Sequence, residues 1–351
     1  GAMWRLRRVC HRCIGENLRL VRLLWLRGGI RCCFKLMLSV VLGLNTPVGS
    51  AATPDADDAG GRIAVVYPDI GEPYRSAFNT IAQGIDDRTR SRAVRVVMPT
   101  DSGAAGVVLD DLRQRHPRGV VALGRIGLKV AAGLDRQVPV VVGGILSVPE
   151  VEAQSFWVQS LTPDPALLFA RLRAFVPQAR RVVVVYNPRQ NEWLMRLARE
   201  AARSQGLELW ALEADDLKSA LRRYQELMGA IQPRRDVLWL PQDASTVDDN
   251  TLLPWLLRES WDQGLVVFSS NVAHVRRGAL FALYPDHFEL GRHLGQLVLS
   301  LLGSAPTTAV PPRGLQALHQ LLTAVNTRTA EHLGLDLRAS GQPLHLVLPE
   351  Q

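Results

Sequence analysis

From Arg62 onwards, short continuous apolar runs alternate with longer segments of helical period. Strands buried on both faces need no polar face, so this alternation is typical of a parallel sheet covered by helices. The first series predicts strands at 63–67, 94–98, 119–123 and 138–142, with helices around 74–87, 104–115 and 127–134 between them.

A second series of the same rhythm follows residue 159. Its predicted strands are 181–186, 207–212, 236–240 and 265–268, and its helices are 190–204, 216–231 and 245–264. A strand at 279–284, a helix at 286–302 and a strand at 322–326 come too late for a plain two-domain order. The pattern therefore predicts an α/β fold of two doubly wound parallel-sheet lobes that face each other across a cleft and are joined by a multi-stranded hinge.

The order of these elements predicts where the chain passes from one lobe to the other. Lobe 1 is expected to comprise residues 62–158 with 286–312, and lobe 2 residues 159–285 with 313–351. In such sheets, ligands bind outside the carboxyl ends of the strands. The cleft is therefore the expected functional site.

The first 52 residues have a different composition from the rest. They hold all four cysteines, and nine Lys/Arg against the single acid Glu16. Basic residues, a short apolar run at 36–44 and small residues at 49–52 indicate a signal or leader segment behind a tag remnant at 1–2, with cleavage near Ala52 and export to the periplasm. A permanent anchor is the weaker alternative, because the apolar run is shorter than the ~20 residues needed to span a bilayer. Residues 53–61 form an acidic linker.

Removing the leader removes nearly all of the formal charge of +8, so a nucleic-acid partner loses its main support. The body lacks cysteine and has no GxGxxG, Walker A, GxSxG or HExxH motif. We therefore expect no cofactor, no metal site and no enzymatic activity.

Polar or aromatic residues follow several predicted strands. Tyr67, Asn187 and Asp243 stand at or shortly after strand ends, as do Ser269 and Asn271. Turn and capping chemistry explains such residues singly. Their joint placement at one predicted edge favours a binding site.

Several segments resemble the periplasmic substrate-binding proteins of ABC transporters, specifically the family with tryptophan- and tyrosine-binding members. The similar stretches are 182–188 with Asn191, 236–243, 277–286, 290–295 and 325–335. The resemblance implies a type I periplasmic-binding fold. Lobe 1 departs from the family pattern at Gly124-Arg125-Ile126-Gly127-Leu128 and at Ser147-Val148-Pro149, so either the ligand differs or the site is partly lost.

The resemblance and the strand ends together give a set of candidate ligand-binding residues. They are Tyr67, Tyr74, Gly124, Arg125, Gly143, Asn187, Asn191, Trp193, Asp243, Ser269, Asn271 and Tyr284. An α-amino acid would place its carboxylate on N–H groups at strand-end turns, its ammonium near Asp243, and its side chain against Tyr67, Trp193 or Tyr284. A related small anion is the other expected ligand, with Arg125 supplying the charge.

Two functions share this cleft. The first is capture of a small solute for the membrane permease of an ABC transporter, by a monomer whose lobes close on the ligand. The second is a periplasmic ligand sensor of the same fold that regulates a membrane signalling receptor, such as a kinase or cyclase.

Overall fold

The computed structural model describes residues 62–90, 93–100, 103–304 and 309–350. The predicted leader and linker, residues 1–61, lie outside this part of the chain. The strands are β1 (Ile63–Pro68), β2 (Ala93–Met98), β3 (Gly119–Leu123), β4 (Val140–Ile145), β5 (Trp157–Pro163), β6 (Arg181–Tyr186), β7 (Glu208–Glu213), β8 (Asp236–Leu240), β9 (Val266–Ser269), β10 (Phe281–Pro285), β11 (Gly314–Leu318), β12 (Leu321–Asn326) and β13 (Leu346–Leu348).

Helices connect most of these strands. They are α1 (Tyr74–Thr89), α2 (Ala104–Arg115), α3 (Gly124–Ala132), α4 (Glu150–Ala153), α5 (Pro165–Phe175), α6 (Pro188–Ser204), α7 (Leu217–Ala230), α8 (Leu252–Gln263), α9 (Val272–Arg276), α10 (His287–Leu301) and α11 (Thr327–His332). Among the described residues, no helix is both long enough and apolar enough to cross a membrane.

The strands form two sheets. Sheet 1 has the order β11-β5-β4-β3-β1-β2 and sheet 2 the order β13-β12-β10-β9-β8-β6-β7. In the described part of the chain, all strand pairings are parallel except that between β10 and β12. Each sheet has an apolar core on both faces, which is why its strands are continuous apolar runs. The predicted fold of two doubly wound lobes is confirmed.

The chain crosses between the sheets at three adjacent places. The backbone N–H of Asp164, after β5, donates to the carbonyl of Leu318 at 3.0 Å, and that of Asp286, after β10, donates to Gln320 at 2.9 Å. These bonds tie the three crossings side by side, which is the multi-stranded hinge expected from the sequence. Sheet 1 includes β5 and β11, so sheet membership places two crossings after Pro163 and Leu318, later than the predicted boundaries at 158 and 312.

Element limits differ from the sequence-based expectation in a few places. Helix α8 begins at Leu252 and not at residue 245, because the Asp248 carboxylate accepts the backbone N–H groups of residues 250–252 and holds the preceding chain in a turn. Helix α3 begins at Gly124, directly after β3, three residues earlier than predicted. Strands β5, β11 and β13 and helices α4, α5, α9 and α11 were not predicted as elements.

Helices α1 and α10 pack closely on sheet 1 because two glycines face each other. A Cβ on Gly84 would lie 2.1 Å from the carbonyl oxygen of Phe288, and one on Gly291 would lie 2.0 Å from that of Ile81. Only glycine permits this approach. The contact brings the cleft-facing residues of α1 next to the start of α10.

Candidate functional site

A cavity of about 450 Å³ lies between the lobes, at the carboxyl ends of the strands. Its size falls within the usual range for small-ligand sites. Lobe 1 lines it with Tyr74, Ala77, Phe78, Ile81, Arg125, Gly144, Ile145, Leu146, Ser147, Leu161, Thr162 and His287, and lobe 2 with Gln190, Asn191, Gln242, Asp243, Ala244 and Ser245.

Asp243 is the carboxylate that lines this cavity, and it is held by lobe 2. Its Oδ1 accepts hydrogen bonds from the backbone N–H and the hydroxyl of Ser245 at 2.9 and 2.6 Å, and its Oδ2 accepts one from Asn191 Nδ2 at 3.0 Å. Asn187 caps helix α6 and donates through Nδ2 to Ser245 Oγ at 3.1 Å. A carboxylate has about four acceptor positions, so the three bonds orient Asp243 and leave capacity for a ligand donor.

The lobe 1 side carries positive potential at the start of helix α3. No described side chain caps this nine-residue helix, so its first N–H groups have no side-chain acceptor in this part of the protein. Arg125, in the first turn, is exposed, and its Nη2 donates to the Ser147 carbonyl at 3.4 Å. A helix N-terminus with an adjacent guanidinium is suited to bind a carboxylate or another anion.

An apolar wall completes the lobe 1 side. Phe78 and Ile81 of α1 line the cavity together with Ile145 and Leu161. Tyr67 lies behind Phe78, with ring centroids 6.4 Å apart. This wall can bury an apolar group of a ligand, at about 25 cal/mol for each Å² removed from water.

Gly144, beside this wall, has a φ of +66°, and a Cβ there would lie 2.9 Å from Phe78 Cε1. Glycine thus lets the β4 end pass beneath the ring.

Two further groups near the cavity have shifted pKa values. Burial lowers the pKa of His287, against the opposing effect of the Asp286 carboxylate, so the imidazole is neutral at pH 7. Burial, with the charge of Asp243, raises the pKa of Tyr224, whose hydroxyl has no hydrogen-bond partner among the described residues. Among the described residues that line the cavity, Arg125 is the cation, Asp243 is the anion, and His287 is an imidazole whose lowered pKa favours the neutral form.

Contacts cross the cleft beside the cavity. Ser147 Oγ of lobe 1 donates to the Gln190 carbonyl of lobe 2 at 3.0 Å, and Arg196 of α6 forms an ion pair with Glu150 of α4. The same helix that supplies Gln190 and Asn191 to the cavity thus contacts the opposite lobe. Helix α6 of lobe 2 therefore connects the cavity lining to the contacts with lobe 1.

The structure distributes the sequence-predicted site residues unevenly. Four of them line the cavity: Tyr74, Arg125, Asn191 and Asp243. Three lie directly behind lining residues: Tyr67 and Gly124 against Phe78, and Asn187 on Ser245.

The other five predicted residues do not line this cavity. Gly143 packs toward Leu294, and Trp193 is buried in the core of lobe 2 with its ring N–H on the Gln190 carbonyl. The remaining three serve local structure: Ser269 is fully buried and bonded to Leu240 and His274, Asn271 caps α9, and Tyr284 packs on the lobe 2 core.

Several lining residues were missed from the sequence. Ala77, Phe78 and Ile81 were not predicted; together with the predicted Tyr74 they recur at helical spacing and form one stripe of α1, a signal that is shared with ordinary core packing. Ser245 and Gln242 flank Asp243 and could have been included with it. Within the described ranges, no cluster of three or more His, Cys, Asp or Glu residues could hold a metal ion.

One family model matches part of this chain. Residues 167–340 match the family model described as ABC transporter substrate binding protein. A search of the curated proteins finds no match.

Solved structures share the fold at low sequence identity. A ligand-free, open substrate-binding protein with adhesive properties from Clostridium difficile has 14% identity and a TM-score of 0.57, covering 83% of this chain and 100% of that one. An ABC domain in complex with L-Trp from Streptococcus pneumonia has 14% identity and a TM-score of 0.51 over 82% and 100%. A conserved domain protein from Vibrio cholerae has 16% identity and a TM-score of 0.50 over 82% and 99%.

Identities this low establish the fold and not the ligand. The type I periplasmic-binding fold is confirmed, and the match over residues 167–340 confirms the resemblance of this chain to the ABC transporter substrate-binding protein family.

Proposed function

We propose that this protein is a periplasmic solute-binding protein that captures an α-amino acid with an apolar side chain and presents it to the permease of an ABC transporter. The observation that carries the proposal is the pairing of opposite charges across one cavity, Arg125 with the α3 N-terminus on lobe 1 and Asp243 on lobe 2, beside an apolar wall. A zwitterion with an apolar side chain matches all three features.

The ligand carboxylate is assigned to the α3 N-terminus and Arg125. The assignment rests on the uncapped first turn of α3 and on the exposed guanidinium in it. We therefore infer that the departure from the family pattern at Gly124–Leu128 changes the groups that bind the carboxylate. In this chain Arg125 adds a full positive charge to the dipole of helix α3.

The ligand ammonium is assigned to Asp243. Three hydrogen bonds already fix the orientation of this carboxylate, so little ordering is needed when the ligand arrives. The side chain of the ligand is assigned to Phe78, Ile81 and Leu161, in place of the Tyr67, Trp193 and Tyr284 expected from the sequence.

The same capture step serves transport and sensing, and nothing in the cleft favours a receptor over a permease. Helix α6 both lines the cavity and contacts lobe 1, which supports a closing motion of the lobes on ligand binding. Either a permease or a signalling receptor could recognise the closed form. Transport is proposed because the family match is to substrate-binding proteins of ABC transporters.

Calorimetry on the purified protein tests the proposal with matched ligand pairs. The panel consists of leucine, isoleucine, phenylalanine and tryptophan, each with the corresponding acid that lacks the amino group. Asp243→Asn should weaken binding of the amino acids about 10- to 100-fold, since a hydrogen bond to a charged group contributes about 1.5–3 kcal/mol, and should leave the deaminated acids unaffected. Arg125→Gln should weaken both members of every pair.

Two substitutions serve as controls. Lys129→Gln lies one turn further along α3, and Asp215→Asn lies at a neighbouring strand end of lobe 2; both residues are exposed and outside the cavity. Neither should change affinity. The proposal is wrong if no amino acid binds, or if Asp243→Asn weakens the deaminated acids as much as the amino acids.

A further inference from the structure

Asn187 lies at the end of the central one of three neighbouring strands of lobe 2. Strand β6 stands between β7 and β8 in sheet 2 and is parallel to both, so the carboxyl ends of the three strands share the edge at which the cavity lies. Asn187 follows β6 directly, and its buried side chain reaches the loop after each neighbouring strand. Its own side chain does not line the cavity.

Backbone groups fix the orientation of the Asn187 amide. The N–H of Arg189, which can only donate, donates to Asn187 Oδ1 at 3.1 Å. The carbonyl of Asp215, which can only accept, accepts from Nδ2 at 3.3 Å. An amide carries both of its N–H donors on the nitrogen. The second N–H of Nδ2 is therefore the one that donates to Ser245 Oγ, 3.1 Å away.

The Asn187 amide in turn fixes the direction of the Ser245 hydroxyl. A hydroxyl has one proton, and the oxygen of this one already accepts the amide N–H, so its proton must point to another acceptor. That acceptor is Asp243 Oδ1 at 2.6 Å, the length expected when a hydroxyl donates to a carboxylate. Removing the amide donor frees the hydroxyl to rotate away from Asp243.

The donors to Asp243 are divided unequally between its two oxygens. Oδ1 accepts both the backbone N–H and the hydroxyl of Ser245, whereas Oδ2 accepts from Asn191 Nδ2. Each oxygen of a carboxylate has about two acceptor positions. Among the contacts of the described residues, Oδ1 is therefore filled and the open acceptor position lies on Oδ2.

We propose that Asn187 is a positioning residue that acts through Ser245 to reserve Oδ2 of Asp243 for the ammonium of the ligand. This inference rests on the proposed capture of an amino acid, and it adds a residue outside the cavity to the determinants of specificity. A ligand without an ammonium makes no use of the open position. Asn187 therefore contributes to the preference for amino acids over their deaminated analogues, and not to carboxylate binding in general.

Asn187→Ser is the test substitution. Serine and asparagine are both favourable N-cap residues, so the start of α6 is kept while the side chain becomes too short to reach Ser245. Calorimetry compares L-leucine with isocaproate and L-phenylalanine with hydrocinnamate. The variant should bind each amino acid about fivefold more weakly, the factor that one hydrogen bond contributes, and should bind each deaminated acid as the unsubstituted protein does.

Asn326→Ser is the matched control. Asn326 is also a buried N-cap residue, at the start of α11, and its Nδ2 also donates to a backbone carbonyl, that of Val275. It does not line the cavity, and its substitution should leave the affinity for both ligand classes unchanged.

A double-variant cycle with Ser245→Ala tests the route of the effect. If Asn187 acts through the Ser245 hydroxyl, Asn187→Ser should cause no further loss of amino-acid affinity in a protein that already lacks this hydroxyl. Ser245→Thr keeps the hydroxyl and should keep the preference for amino acids.

Hydrogen exchange of backbone amides gives a readout that needs no ligand. The N–H of Ser245 donates to Asp243 Oδ1, so its exchange rate reports how firmly the carboxylate is held. Nuclear magnetic resonance on the ligand-free protein should show this N–H exchanging about fivefold faster in Asn187→Ser and unchanged in Asn326→Ser.

The inference is overturned if Asn187→Ser leaves the exchange of the Ser245 N–H unchanged, if it weakens amino acids and deaminated acids equally, or if its effect adds in full to that of Ser245→Ala. If no ligand of the panel binds the unsubstituted protein, the proposed function fails, and the exchange rates alone decide whether Asn187 positions Asp243. The two failures are therefore distinguishable.

Discussion

Replacing Arg181 by methionine should lower the free energy of unfolding by about 3–5 kcal/mol. Arg181 begins β6, and Asp236 begins β8 in register with it. The guanidinium donates from Nε to Asp236 Oδ1 at 2.8 Å and from Nη2 to Oδ2 at 2.6 Å, while the backbone N–H of Gln232 donates to Oδ2 at 2.8 Å. The side chain of Asp236 is 0% exposed and that of Arg181 is 7% exposed.

The magnitude follows from what the substitution leaves behind. Methionine removes two of the three hydrogen bonds to Asp236 and leaves a buried carboxylate with a single backbone donor. It also removes the stacking of the guanidinium on Trp210, whose ring centroid is 3.2 Å from the guanidinium carbon. An unpaired buried charge is far costlier than the pair was favourable, so the effect exceeds that of an exposed ion pair, which is about 0–1 kcal/mol.

Urea unfolding followed by circular dichroism measures this change. The double variant R181M/D236L replaces both charges by apolar groups and should recover a large part of the loss, because no buried charge remains unpaired. Arg203→Met, which breaks an exposed ion pair with Glu200 on α6, is the control and should change the unfolding free energy by less than about 1 kcal/mol. The reasoning is refuted if Arg181→Met costs no more than the control, or if the double variant is less stable than Arg181→Met alone.

Three further predictions rest on packing and burial. Gly84→Ala should destabilise the protein by about 1–3 kcal/mol in urea unfolding, because the new Cβ meets the Phe288 carbonyl. The control Gly106→Ala lies in α2 with open space around it and should stabilise the protein by about 0.5–1 kcal/mol. Equal effects of the two substitutions would contradict the close contact between α1 and α10. Tyr224→Phe should raise the unfolding free energy by about 1 kcal/mol, because it removes a buried hydroxyl without a partner in the described part of the chain, and a loss would show that the hydroxyl is bonded. Burial, aided by Arg277 and opposed by Asp249, lowers the pKa of His274 to about 4. As the pH falls, His274 is protonated in the unfolded chain before it is protonated in the folded protein, so up to about 3 kcal/mol of the unfolding free energy should be lost between pH 6.5 and pH 4. His274→Asn should flatten this part of the profile of unfolding free energy against pH. An unchanged profile in the variant would contradict the prediction.

The fold could be predicted from the sequence because its strands are buried on both faces. Continuous apolar runs such as those of β1 and β6 carry that signal by themselves. Strand β11 could not be recognised in the same way, since its residues Gly314–Leu318 are mostly half-buried and it pairs with β5 alone at the edge of sheet 1. Only tertiary pairing makes this segment a strand.

The site was predictable at strand ends and less so along helices. Asp243 and Arg125 follow strands, and the carboxyl end of a parallel strand faces the cleft wherever it occurs. Trp193 lies two residues after Asn191, and two residues of helix turn the side chain by about 200°, away from the cleft and into the core. Phe78 was hidden for the opposite reason, because a cleft-facing stripe and a core-facing stripe have the same period.

The glycine-rich start of α3 bears most directly on the proposed ligand. The sequence there departs from the family pattern, which left open whether the lobe 1 half of the site persists. In the structure, Gly124 has a φ of +76° where the chain turns from β3 directly into α3, and no described side chain caps the first helical N–H groups beside the cavity. Phe78 packs against the same glycine, since a Cβ there would lie 3.3 Å from its ring, so the apolar wall and the anion-binding turn share one support. The features that would hold a carboxylate and a side chain are thus built together, which favours an intact two-lobed site with an altered anion contact over a site that has been lost.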